Sequence, residues 1–393
     1  MLNIFIGFII LLITIAPPAI AATEKYKVVG YYPNWAIYRS PSFKPENIDF
    51  DLVTHINYAF AKVDKAGDIA LFDAWADIEY RSDWNASSPE PAFWGNFKAF
   101  SDLKKKHPHI KTLISIGGWT LSDTFSALAE SPTARANFVE NAIKFCKDYD
   151  FDGVDIDWEY PGFAEHSGRP QDKENFTLLL AELYQAAHAQ GSELLVTIAA
   201  PAGPHHYKNI EVERIHKYVD WINLMTYDLH GPWGDSDNLV ANHHAALFSS
   251  FGDARLSVAA AVAFYLEQGV PAKKLVLGMP LYGRVFANTN GLHSAYNGAG
   301  GGTTQEVGMR FFYDIKRNLS SDYHLLHDEQ AQAPYLYNPV NKELITFDDE
   351  ESLRCKSQFI KNLGLGGAMV WELGLDTRPS WDAMHAIVDE LKN

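Results

Sequence analysis

Phe151-Asp-Gly-Val-Asp-Ile-Asp-Trp-Glu-Tyr160 is the stretch that decides how this chain folds. Asp155, Asp157 and Glu159 stand at i, i+2 and i+4. In a strand, side chains alternate, so all three acids share one face while Val154, Ile156 and Trp158 enter an apolar layer on the other. Asp152 has the opposite parity and belongs at the strand entrance, outside the cluster. Crowded carboxylates cannot all ionise, so one is expected to hold its proton near neutral pH, as a general acid must. A calcium loop would need Gly at its sixth position and Glu at its twelfth, and neither is present. No metal or cofactor is expected.

Seven other runs have the same β-rich, apolar character. The eight cover residues 26–32, 52–60, 110–116, 153–159, 194–199, 219–225, 275–280 and 366–371. Between them lie helical patterns, clearest at 97–106, 134–149, 173–190, 258–268, 350–362 and 381–391. Continuous apolar strands alternating with helices predict a parallel sheet covered by helices, and eight repeats predict a closed (β/α)8 TIM barrel in the α/β class. The rhythm breaks over residues 285–345, read as a small α+β insertion between strands 7 and 8. The expected organisation is 1–21 leader, 22–284 first part of the barrel, 285–345 insertion and 346–393 last part of the barrel. The glycines of 298–302 follow no strand and open no helix, so they form a turn rather than a phosphate loop.

The formal net charge of −16 argues against nucleic acid and anionic membranes as partners. Residues 2–15 are nearly all apolar, Pro17-Pro18 breaks the run, and Ala19-Ile-Ala21 offers a peptidase site. The expectation is cleavage after Ala21, a secreted or periplasmic location, no membrane association afterwards, and a monomer. Cys146 and Cys355 are expected as two buried free thiols. Asn85, Asn175 and Asn318 are glycosylation sequons. The pairs His205-His206 and His243-His244 are read as surface or groove residues, because adjacent side chains do not converge on one ion.

In such a barrel the site lies at the C-terminal strand ends. Those ends carry Tyr31, Trp35, Phe60, Trp119, Glu159, Met225, Tyr227, Asp228, Tyr282, Arg284, Trp371 and Glu372. Aromatic faces stack on the C–H faces of sugar rings, and acids bind hydroxyls. Trp35, Trp119, Trp233 and Trp371 could form such platforms. Ordinary glycosidases set two carboxyl groups roughly 5–5.5 Å or 6.5–9.5 Å apart across the scissile bond. Here the acids crowd one strand, and no lone acid stands out as nucleophile. A 2-acetamido group attacking its own anomeric carbon resolves the difficulty.

Asp152-x-x-Asp155-x-Asp157-x-Glu159 resembles the signature of glycoside hydrolase family 18, the chitinases. Ser115-x-Gly117-Gly118, Met225-Thr-Tyr227-Asp228, Gly278-Met-Pro-Leu-Tyr282-Gly-Arg284 and Gly366-Gly-Ala-Met-Val-Trp371 are similar to its other motifs. The resemblance runs from about Lys25 to Leu391 and implies the deep-cleft type, with an α+β insertion before the last strand. It implies hydrolysis of β-1,4-linked N-acetylglucosamine polymers (chitin or chitooligosaccharide) with retention, endo or exo, through an oxazolinium intermediate. Glu159 would be general acid and base, and Asp157 would orient the acetamido N–H. Asp155 would share a proton with Asp157, supported by Ser115 and Tyr31. Tyr227 would donate to the acetamido oxygen. Asp228, Tyr282 and Arg284 would hold sugar, with Met225 among the binding residues. Trp371 would form the floor, Phe60 would close the acetamido pocket, and Trp119 and Trp233 would stack on the leaving-group side. A chitinase-like lectin would have lost the acid, which is intact here. An endo-N-acetylglucosaminidase would resemble the family less in the insertion.

Overall fold

The computed structural model describes residues 25–81, 92–233, 239–304 and 306–393. The expected leader and Asn85 lie outside the described residues. The strands are β1 Lys27–Pro33, β2 His55–Val63, β3 Ile69–Leu71, β4 Lys111–Gly117, β5 Gly153–Asp157, β6 Leu195–Pro201, β7 Trp221–Met225, β8 Leu275–Pro280, β9 Tyr282–Phe286, β10 Met309–Phe311, β11 His324–Asp328, β12 Ala333–Asn338, β13 Glu343–Thr346 and β14 Gly367–Trp371. The helices are α1 Gly95–Lys106, α2 Phe125–Glu130, α3 Pro132–Tyr149, α4 Asp172–Ala187, α5 Pro204–Tyr207, α6 Val212–Ile215, α7 Val258–Glu267, α8 Phe312–Asn318, α9 Glu350–Leu363 and α10 Asp382–Lys392.

Eight parallel strands pair in the circular order β1-β14-β8-β7-β6-β5-β4-β2, and β2 closes onto β1. This is a (β/α)8 barrel. The short β3 adds antiparallel to the end of β2. Alternation sorts the side chains as the sequence requires. Val154, Ile156 and Trp158 join the layer under the helices, where Trp158 stacks on Phe125 at 5.4 Å. A separate core inside the barrel collects Val29, Ala59, Leu113, Ala199, Trp221, Val276 and Met369.

Local chemistry sets the ends of the helices that pack on this sheet. Ser131 caps α3 by accepting from the Ala134 N–H, and Pro132 takes the first turn, where a missing N–H costs nothing. Asp349 and Ser352 form a reciprocal capping box at the start of α9, and Gly364 ends that helix at φ +63°.

A second, antiparallel sheet in the order β10-β9-β13-β12-β11 lies in sequence between β8 and β14. It begins at Tyr282, three residues before the expected boundary. Tyr282 and Arg284 are therefore not the end of the seventh barrel strand. They open β9, because the barrel strand stops at Pro280 and the chain enters the new sheet after Leu281.

Two expectations about packing need correction. Cys146 is buried, but Cys355 is only partly so; both are free thiols. His243 and His244 are buried rather than exposed, each within ion-pair reach of an acid: His243 lies 3.5 Å from Asp328 and His244 3.6 Å from Asp228. Burial pushes His244 down, and Asp228 opposes this without overcoming it. His205 is exposed, and His206 is half-buried against Tyr160.

Candidate active site

β4 and β5 bring the mouth of the barrel together. Ser115 and Asp155 sit side by side in register, as do Gly117 and Asp157. Gly117 and Gly118 then turn with φ +113° and +87°. A Cβ on Gly117 would stand 2.2 Å from the Asp157 carbonyl oxygen, and one on Gly118 would stand 2.7 Å from the Phe60 ring. Only glycine fits this pair of positions. The Gly118 N–H donates to the Asp157 carbonyl at 2.7 Å, locking the two strand ends.

Asp155 and Asp157 lie on β5, but pairing stops at Asp157, so Glu159 stands two residues past the strand rather than on it. Ser122 holds it there: its Oγ accepts from the Glu159 N–H at 2.8 Å and donates to the Gly118 carbonyl at 2.9 Å.

The two aspartates have opposite surroundings. Asp155 accepts from Tyr31 Oη and Ser115 Oγ, both at 2.8 Å, on one oxygen. On the other it accepts from Thr197 Oγ1 at 2.6 Å and Asn223 Nδ2 at 3.2 Å. Burial pushes its carboxyl up, and these four donors oppose that. Asp157 is 3% exposed, and its Oδ1 has no hydrogen-bond partner. Burial first, then the charges of Glu159 and Asp155, pushes it well above the usual carboxylate range.

Burial raises Glu159 to about 7, with the Asp228 charge adding to it and the Tyr160 hydroxyl and Trp119 N–H working against it. Tyr227 faces the acids. Burial, then the charges of Asp157, Glu159 and Asp228, keeps its phenol protonated. That hydroxyl approaches only the Met369 sulfur, a weak acceptor, at 3.8 Å. Burial would raise Asp228, but Arg284 and His244 outweigh it and hold Asp228 ionised. Arg284 Nε and Nη2 grip both Asp228 oxygens at 2.7 and 2.8 Å, a fork-on-carboxylate geometry. Arg284 thus reaches the barrel mouth from the second sheet, and Tyr282 meets Tyr227 edge-on at 6.2 Å.

The apolar floor is Trp371, whose ring lies 5.4 Å from Tyr31 and 5.9 Å from Phe60. Trp35 backs Phe60 at 6.1 Å. Met225 is buried in the same cluster. Trp119 and Trp233 stand at the rim, 52% and 51% exposed. The Arg284 guanidinium lies 4.7 Å over the Trp233 ring. The contacts above link the residues expected in the site, save Glu372, which is buried in an ion pair with Arg39. Sequence reading missed Thr197, Asn223, Ser122, Tyr160 and His244. Thr197 and Asn223 carry a usable signal, for each has the inward parity of its strand. His244 carries none. Among the described residues no group of His, Cys, Asp and Glu could hold a metal ion.

The barrel mouth thus gathers a carboxyl raised to about 7, a buried aspartate, a protonated phenol and exposed aromatic rings. Comparison with known proteins gives the family. Residues 27–376 match glycosyl hydrolases family 18, and the chain belongs to that family. It is similar to chitinase A1 of Niallia circulans, 38% identical over 95% of this chain and 60% of that protein. Chitinase 1 of Aphanocladium album is also 38% identical, over 89% of this chain and 82% of the relative. The chain therefore spans somewhat less than two thirds of the bacterial relative and most of the fungal one. Among solved structures, the Ostrinia furnacalis group IV chitinase in complex with allosamidin superposes with a TM-score of 0.83 at 33% identity, covering 92% of this chain and 97% of that one. Family and relatives make this chain a glycoside hydrolase of the chitinase type.

Proposed function

We propose that this protein cleaves β-1,4-linked N-acetylglucosamine polymers with retention, using the substrate's own acetamide as nucleophile. The observation that carries the reading is the buried, unpartnered Oδ1 of Asp157 beside a protonated Glu159 and a phenol with no strong acceptor. Leaving a buried oxygen unpaired costs about 1–3 kcal/mol, so a ligand that supplies the donor recovers it. An acetamido group has one N–H and one C=O. The N–H would donate to Asp157, and the C=O would accept from Tyr227.

Glu159 gives its proton to the glycosidic oxygen as the C1–O bond breaks. The acetamido oxygen closes on C1 from the opposite face, forming an oxazolinium cation that Asp157 stabilises. Water then attacks C1 from the side the leaving group vacated as the C1–acetamido oxygen bond breaks and the amide is restored, and Glu159 takes the water proton. Two inversions give retention. Asp155, with four donors, stays in place as the anchor of the row. Trp371 supports the reacting sugar, and Trp119 and Trp233 receive the leaving portion.

The apolar residues 2–15 and the Ala19-Ile-Ala21 site support export to a secreted or periplasmic location. The test is hydrolysis of chitohexaose, with the product anomer followed by NMR in the first minutes. The β-anomer first, and no cleavage of cellohexaose, is the expected result. Equal cleavage of both hexamers would sink the proposal.

A further inference from the structure

The part of the β5–α4 segment that follows Tyr160 takes no part in the chemistry above, yet it is tightly held. Asp172, buried at the start of α4, accepts from the Gly162 and Arg169 N–H groups at 3.0 and 2.7 Å on one oxygen, and from Ser126 Oγ at 2.7 Å on the other. Within the segment, the His166 and Gly168 N–H groups both donate to the Phe163 carbonyl, at 3.0 and 2.9 Å. The result is a braced loop with His166 near its tip.

His166 makes two contacts of different kinds. Its Nδ1 lies 2.8 Å from the Glu159 carbonyl oxygen. A carbonyl can only accept, so Nδ1 carries the proton. Its ring lies 4.3 Å from the Trp119 ring. Phe163 stands 5.3 Å from His166 and 5.9 Å from Trp119. His206 lies 5.2 Å from Phe163 and stacks on Tyr160 at 4.1 Å. Tyr160 returns to Trp119 at 6.4 Å. Five rings thus form a closed circuit, tied to the backbone of the acid through His166.

We propose that His166 is a positioning residue that sets affinity for the leaving portion of the substrate: its ring braces Trp119 as a sugar platform, and its Nδ1–H ties that platform to the Glu159 backbone. This rests on the function proposed above. A half-exposed tryptophan must lose rotamer freedom when a sugar stacks on it, and a side chain already packed on one face has less to lose. The circuit therefore shifts that ordering from binding to folding.

Three variants separate the two contacts. His166→Phe keeps a ring and loses the donor, His166→Asn keeps a donor at similar reach and loses the ring, and His166→Ala loses both. Each is assayed on chitohexaose and on diacetylchitobiosyl fluoride, whose leaving group is too small to reach Trp119, with thermal midpoints alongside. His166→Ala and His166→Asn should raise KM for the hexamer about three- to tenfold, while KM for the fluoride stays put. His166→Phe should restore KM for the hexamer and keep a lowered kcat, and His166→Asn should recover kcat. If Ala proves too unstable to assay, the Phe–Asn contrast decides. Equal KM changes on both substrates, wild-type KM in every variant, or failure of Phe to restore KM would each overturn the proposal. A wild-type protein inactive on the hexamer would instead remove the function it rests on.

Discussion

Two buried charge clusters in this molecule are built on opposite plans. Behind the second sheet, Lys356 of α9 is fully buried and bonded to Asp348, whose other oxygen accepts from Ser352 Oγ at 2.8 Å. At the barrel mouth, Asp157 is almost as deeply buried and has an oxygen with nothing to bind. The first cluster is complete without a ligand, so its work is to hold the connection from β13 onto α9. The second is incomplete, and the incompleteness marks where something else must dock. Asp155 sits beside Asp157 and follows the complete plan, so the contrast holds even within one strand.

The largest effect should come from the poised acid. Glu159→Gln should lower kcat on chitohexaose by about 10²- to 10⁴-fold or more, while calorimetry shows the hexamer still bound. Parallel loss of binding and turnover would deny Glu159 its role as acid.

Breaking the complete cluster should cost stability instead. Lys356→Met leaves Asp348 charged and unpaired, and denaturant unfolding should show a loss of about 3–5 kcal/mol. The double variant with Asp348→Leu should recover most of it. A single variant as stable as wild type would make the pair idle.

The incomplete cluster should respond with the reverse sign. Glu159 has a higher affinity for protons folded than unfolded, since its folded value is raised. Between the ordinary glutamate value and about 7 the native state binds more protons, so stability falls as pH rises through that window. Glu159→Gln removes this penalty. It should therefore stabilise the protein at pH 8 by on the order of 1–3 kcal/mol and by almost nothing at pH 4. The same protonation gives kcat/KM an alkaline limb near 7, because the acid must keep its proton. A destabilising Glu159→Gln would mean that the site is not under strain from buried charge.

The smallest effect should be at Cys355, free and partly exposed on α9. Cys355→Ser should change stability by less than about 0.5 kcal/mol, whereas Cys146→Ser, in the core, should cost more.

The chain announced its barrel because each strand is a continuous apolar run, and period two alone assigns Asp155 and Asp157 to the inner face. Glu159 was legible as an acid of the row, but not its place beyond the strand, which depends on Ser122 holding its N–H from another loop. Thr197 and Asn223 were overlooked because threonine and asparagine inside strands look unremarkable until the closed barrel brings both to one oxygen of Asp155. The start of the second sheet at Tyr282 was hidden by the two strands meeting across a single residue, Leu281. His244 was misjudged because its partner, Asp228, is sixteen positions away and no periodicity links them.

The central claim is that the free oxygen of Asp157 waits for an acetamido N–H on its way to a cyclic cation. Its most direct test is titration calorimetry with a chitobiose thiazoline, a stable neutral mimic of the oxazolinium ring, against wild type and Asp157→Asn. Wild type should bind the mimic at least about 10²-fold more tightly than the variant, as differential transition-state binding requires, with chitohexaose affinity changed far less. Equal affinity of the two proteins for the thiazoline would contradict the account.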